Sequence, residues 1–151
     1  MTDIPQVADQ PAQVSSLPAD RPVKPALWKG WRRRCPSCGE GAMFDGYLKV
    51  RDTCDHCGED LSPQKADDGP AYLTILVVGH IMAPILHVVA FEWRPDPWVT
   101  ATVFSIGCVA SSLYLLPRIK GGIVAYQWAK RMYGFDDRAK ALRQTAQKDT
   151  E

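Results

Sequence analysis

Apolar residues are not spread evenly along this chain. From Ala71 to Leu116 nearly every position is apolar or small, whereas both flanks are charged and the N-terminal one is rich in proline. Two runs within that window, AYLTILVVGHIMAPILHVVAF (Ala71–Phe91) and WVTATVFSIGCVASSLYLL (Trp98–Leu116), contain no Asp, Glu, Lys or Arg. Each has about the twenty residues needed to cross a bilayer core at a 1.5 Å rise per residue. The pattern therefore predicts two transmembrane helices, 71–91 and 98–116. The connection EWRPDP is so short that it permits only an antiparallel pair. Trp93, Trp98, Tyr72 and Tyr114 fall near the ends of the runs, where amphipathic rings favour the headgroup level. Two buried helices of a soluble protein would need other amphipathic helices to cover them, and this chain has too few.

The flanks carry different signals. Residues 1–27 include five prolines, few large apolar side chains and no apolar stretch of the kind a signal peptide needs. Such a segment cannot bury enough surface to offset its chain entropy, so we expect a disordered cytoplasmic tail there. After Leu116 comes PRIKGGIVAYQWAKRMYGF. Pro117 is expected to stop or kink the second helix. The loose alternation of Ile123, Val124, Tyr126 and Trp128 with Lys130 and Arg131 predicts an amphipathic helix over 117–135. That helix would lie in the cytoplasmic membrane interface or pack on a partner. Residues 136–151 read as a polar tail.

Charge adds the orientation. The connecting loop holds only Arg94. The N-terminal side holds Arg32, Arg33, Arg34, Lys49, Arg51 and Lys65, and the C-terminal side Arg118, Lys120, Lys130 and Arg131. The positive-inside rule puts both termini in the cytoplasm. The net charge of the 151 residues is +1, and the basic residues sit close to the membrane, so no nucleic-acid partner is expected.

Chemistry concentrates in two copies of Cys-x-x-Cys-Gly-Glu: CPSCGE from Cys35 and CDHCGE from Cys54. The pairs Cys35/Cys38 and Cys54/Cys57 are spaced as in zinc sites, and a reducing cytoplasm would keep their thiols available. Four thiolates complete a tetrahedron and leave no open position, so the pattern implies structural zinc rather than catalysis at the metal. Between the knuckles, AMF and YLKV flank an Asp45-Gly46 turn and predict a small β-hairpin. The expected fold is thus a small α-helical membrane protein: a four-cysteine zinc ribbon (28–65), a transmembrane helix hairpin (71–116) and a C-terminal interfacial helix. His56 lies inside the second knuckle, either as a replacement ligand or as an exposed residue. The Arg32–Arg34 run either offsets the charge of a metal tetrathiolate, meets lipid headgroups, or forms a solvated basic face.

Ionisable groups inside the predicted spans are further candidates. His80 and His87 share a face of the first helix but stand roughly 10 Å apart along its axis, too far to chelate one ion. His80 and Cys108 would lie at similar depth. Either they serve a haem or copper ion, or His80 bonds a backbone carbonyl or Ser111 while Cys108 packs as a small residue. Gly79 with Ala83, and Gly107 with Ser111, form small-residue pairs that allow close helix approach. Pro84 is a candidate kink. No thioredoxin-like pattern surrounds the cysteine pairs, and no P-loop or Gly-x-Ser-x-Gly occurs.

The segments RCPSCGEGAMFDGYLKV, CDHCGEDL, DDGPAYLTILVVGHI and LPRIKGGIVAYQWAKRMYGF together resemble an uncharacterised bacterial family of small zinc-ribbon, two-helix membrane proteins. The resemblance runs from about Trp28 to Phe135. Its pattern takes in Cys35, Cys38, Cys54, Cys57, Asp68-Gly69-Pro70, Gly79-His80 and Lys120-Gly121. The genes of that family often neighbour those for assembly of haem-copper cytochrome oxidase. The resemblance implies an accessory role to the oxidase or its assembly factors; with the two spans we expect a multi-pass protein of the bacterial inner membrane, and the closed metal site and lack of a catalytic constellation lead us to expect no enzyme. A copper or haem handler using the four cysteines and His80 is the alternative.

Overall fold

The structure, a computed structural model, describes residues 21–136. The expected tail up to residue 20 and the polar tail after Asp136 lie outside them. Three helices follow in order: α1 (Val23–Trp31), α2 (Gly69–Val88) and α3 (Pro97–Ala129). The two cysteine knuckles occupy the long connection between α1 and α2.

The chain becomes helical earlier than its proline content implied. The expected tail boundary at residue 27 falls inside α1, which starts at Val23. Pro22 is the N-cap and Pro25 lies in the first turn, where a missing N–H costs nothing because no carbonyl stands opposite it. The helix closes with Arg33 in a left-handed conformation (φ 62°). The Arg33 N–H donates to the Gly30 carbonyl at 2.8 Å and the Arg34 N–H to that of Lys29 at 3.0 Å, the double bond of a Schellman cap.

α2 and α3 are each long and apolar enough to cross a membrane. Only 11% of the apolar window of the first, and none of the second, is buried. Helices at the centre of a soluble core would be covered instead. α2 runs on through Pro84 and ends in a π-helical turn, Val89–Trp93. The chain reverses at Arg94, itself left-handed, and the Asp96 carboxylate caps α3 by accepting from the Trp98 and Val99 amides. The two helices pack side by side, with Met82 against Gly107 and Val78 on the same groove as Ser111 and Tyr114.

The separate interfacial helix expected over 117–135 does not form. α3 is continuous from Pro97 to Ala129 and passes straight through Pro117. Proline removes the N–H that would have bonded the Leu113 carbonyl one turn earlier. The Tyr47 hydroxyl, from the segment between the knuckles, donates to that carbonyl instead. The apolar face of the 117–129 section is covered by the protein itself. Val124, Ala125, Gln127, Trp128 and Ala129 are buried, and the core they enter contains Ala26, Met43, Phe44, Val50, Leu61, Ala66 and Phe135. The amphipathic pattern was real, but its apolar face enters the protein's own core.

The expected β-hairpin is also reduced. Among the described residues, β pairing is confined to isolated bridges, one of them Phe44↔Val50. The Asp45 amide bonds the Lys49 carbonyl at 2.7 Å and Gly46 has φ 90°, so the chain does reverse at Asp45-Gly46. The loop spans residues 45–49 rather than two, and the arms are joined at one bridge, by the Asp45–Lys49 bond and an Arg51 N–H to Met43 carbonyl bond at 3.0 Å, without extending into a ladder.

Two further contacts bind this layer, α1 with the knuckle segment, to α3. α1 crosses α3 where Gly30 meets Gly121, and a Cβ added at either would strike the other's carbonyl oxygen. The buried Gln127 amide pairs with the backbone of Lys65, accepting from its N–H at 3.0 Å and donating to its carbonyl at 2.6 Å. Because the obstacle at the glycine crossing is backbone, it cannot turn aside. Gly121→Val should destabilise this layer by about 1–3 kcal/mol or more, read as a lower unfolding midpoint in mild detergent. A midpoint equal to wild type would show that the helices do not approach this closely.

Candidate metal centre

The two knuckles are built alike. In the first, the Gly39 N–H donates to the Cys35 carbonyl at 2.9 Å; in the second, the Gly58 N–H donates to the Cys54 carbonyl at 2.9 Å. Both glycines are left-handed, φ 83° and 69°, which is why glycine follows the second cysteine each time. Each knuckle is closed by one bridge, Arg34↔Ala42 and Thr53↔Asp60.

This geometry brings together four of the seven residues singled out by sequence. The Sγ atoms of Cys35, Cys38, Cys54 and Cys57 all lie within 4.8 Å of one another. Cys35 is 3.7 Å from Cys57 and Cys38 is 3.9 Å from Cys54, so the short pairs cross between knuckles. Four sulfurs at about 2.3 Å from a tetrahedral zinc stand about 3.8 Å apart. The site therefore fits a single metal ion held by both knuckles.

The surroundings prepare the sulfurs unequally. Burial pushes the Cys35 thiol well above the usual cysteine range, and neighbouring sulfurs add to the rise against amide donors from Cys38 and Ser37. Burial likewise pushes Cys57 up. At Cys38 burial also opposes ionisation, but the Gly41 and Glu40 amides outweigh it and lower the thiol to about 6. One sulfur is thus a thiolate at neutral pH, ready for a cation.

Several contributors have no signal in the cysteine spacing. Gly41 is one: a Cβ there would collide with the Cys54 Sγ, so only glycine lets the second knuckle close on the first. The second glycine of CPSCGEG was the available hint. Lys29 of α1 is another. Its Nζ donates to the Ser37 carbonyl at 2.7 Å, fixing the first knuckle to the helix. His56 is exposed and lies outside the four-sulfur cluster; its Nε2 stands 2.7 Å from Glu40 Oε2, tying the knuckles together on the surface.

The remaining three candidates stay apart from this centre. His80 is exposed, its Nδ1 2.8 Å from the Leu76 carbonyl and its groove lined by α2 residues. His87 stacks on Phe91 with ring centroids 4.5 Å apart. Cys108 is half-buried on α3.

The chain thus combines a four-cysteine cluster that could hold a metal ion with two helices long and apolar enough to cross a membrane. The chain belongs to the family described as "Protein of unknown function (DUF983)", whose model matches residues 44–128, more than half of the chain. Comparison with curated proteins gave no match, and comparison with solved structures gave none.

Two outcomes follow from the geometry. Gly41→Ala should displace Cys54 and weaken metal binding by roughly 10–100-fold, measured by competition with a chelating dye; equal affinity would mean that the second knuckle has room to spare. Cys38, lowered to about 6, is largely ionised at neutral pH, so binding must expel the protons held by the other sulfurs, the burial-raised Cys35 and Cys57 among them. Affinity should therefore fall as pH falls, by about tenfold per unit near neutrality for each proton released, and so by at least about a hundredfold per unit. The same competition repeated across neutral pH checks this, and a pH-independent affinity would contradict it.

Proposed function

We infer that this chain is a non-enzymatic accessory protein of a bacterial inner membrane, with zinc in the four-cysteine site as a structural staple. The observation that carries the reading is the closed sulfur cluster beside two exposed apolar helices. A metal with four thiolate ligands keeps no coordination position for substrate, and its binding energy goes into folding the module.

The membrane arrangement draws on charge and length. α2 and α3 form an antiparallel transmembrane hairpin whose short external turn carries only Arg94 among Lys and Arg, while the opposite end gathers the basic residues. Both termini and the metal site are then cytoplasmic. At 1.5 Å per residue the 33 residues of α3 reach about 50 Å, well beyond a hydrocarbon core of about 30 Å. The overhang is the section that carries the soluble layer. That layer stands as a rigid platform on the cytoplasmic face, with Tyr72, Ile75, Phe91 and Val103 among the large apolar side chains left for lipid or a membrane partner. For the partner, support comes from the gene neighbourhood of the family the chain resembles: a haem-copper oxidase or its assembly factors.

The tagged chain, purified from its native membranes in mild detergent without added metal, should carry about one zinc ion, as a single tetrathiolate site requires, together with oxidase subunits or assembly factors. Cys35→Ser should lose the zinc and the folded soluble layer. Copper in place of zinc would contradict the structural-zinc reading, and a chain isolated without membrane partners would contradict the accessory role.

A further inference from the structure

The basic run ahead of the first knuckle has a place in the fold that the metal centre does not use. Arg32, Arg33 and Arg34 line a cleft of about 360 Å³ whose other walls include Glu40, Phe44 and Gly46. All three arginines are exposed, and among the described residues none is paired with a carboxylate. Glu40, the acid on the cleft wall, is turned to His56 at 2.7 Å. The arginines are instead held by groups that leave their donors available. The Arg32 guanidinium lies over the Trp28 ring, 4.8 Å from its centre. One Arg34 nitrogen donates to the Glu40 carbonyl at 3.2 Å, and a guanidinium has five N–H donors in all. Arg33 occupies the left-handed position of the α1 cap, where glycine is favoured.

The depth of the cleft narrows the choice of anion. Gly46 on its wall adjoins Tyr47, whose hydroxyl reaches the Leu113 carbonyl of α3. Leu113 lies at the end of the uncharged run, and the next charged residue along α3 is Arg118. Trp28 and Trp31 of α1 and Tyr114 of α3 are exposed. Arg118 lies over the Tyr114 ring at 3.7 Å. Aromatic rings and arginines at the end of an apolar span mark the headgroup level of a bilayer. An anion at that depth is supplied by the lipid itself. We propose that the cleft of Arg32, Arg33 and Arg34 binds the phosphate of an anionic phospholipid headgroup. Guanidinium groups suit phosphate because their planar forks offer paired N–H donors to its oxygens. A bound lipid would fix the height of the metal module against the membrane surface. The inference rests on the membrane reading given above.

The test uses the full chain with its metal, in mild detergent, supplied with phosphatidylglycerol, cardiolipin or phosphatidylcholine. Lipid retained per chain is read by native mass spectrometry. Wild type should retain the two anionic lipids at least tenfold more than phosphatidylcholine. Arg33→Gly combined with Arg32→Gln should abolish that preference while keeping the bound metal, since glycine suits the left-handed cap and the fold is not at stake. Anionic lipid retained equally by this variant with its metal in place would overturn the proposal. Displacement of the lipid by inorganic phosphate at equal concentration would also overturn it, assigning the cleft to free phosphate. Alkaline extraction separates the two readings: a chain that leaves the membrane contradicts the membrane spans, whereas a chain that stays but does not discriminate between lipids contradicts only the lipid site.

Discussion

The overhang of α3 is the constraint on which the rest of this structure depends. The segment between α1 and α2 has too few large apolar residues to enclose a core: Met43, Phe44, Val50 and Leu61 are the main ones. Val124, Trp128 and Ala129, one helical face beyond the apolar span, supply the other half. That face is available only because α3 does not stop at Pro117, and the Tyr47 hydroxyl takes the place of the hydrogen bond that proline lacks. The Gly30–Gly121 crossing then lets α1 approach closely enough to cover the remaining side. A module this small is marginal on its own apolar burial; the helix and the cysteine cluster stabilise it from outside and from inside.

These two supports are linked through identifiable atoms. Lys29 stands on α1, one residue before the glycine that meets α3, and its ammonium holds the Ser37 carbonyl inside the first knuckle. Gly41 gives the Cys54 sulfur its space, and the chain continues directly into Met43 and Phe44 of the core. Gln127 fastens the end of the module, at Lys65, just before α2 begins. Displacement of any ligand would therefore be felt at the α3 surface within a few residues.

The parts of the molecule that were legible in the sequence are those set by local chemistry. The four cysteines, the left-handed glycines that follow them and the two uncharged runs all carry their signal within a few residues, and the structure places them together or along helices accordingly. What escaped depends on distant partners. Pro117 is a helix breaker by local rules, and only a tyrosine from the far side of α2 makes it tolerable. The periodicity of Ile123 to Trp128 shows an apolar face but not what covers it, so a membrane surface and the protein's own core fit it equally well. α1 was hidden because Pro22 and Pro25 look like tail composition until they are placed at a helix start, where proline is harmless. The hairpin was over-read: the Asp-Gly turn is present, but its arms pair at a single bridge and not along a strand ladder.

The central claim is that a metal-stapled module is what covers the overhang of α3. Hydrogen–deuterium exchange along α3, in mild detergent before and after the metal is stripped by a chelator, tests it most directly. The account predicts that amides from Gly121 to Ala129 lose protection when the metal is removed, while those from Val103 to Tyr114 keep theirs within the detergent. Unchanged protection across Gly121–Ala129 in metal-free protein would contradict it, because the overhang would then be held by something other than the cysteine-stapled module.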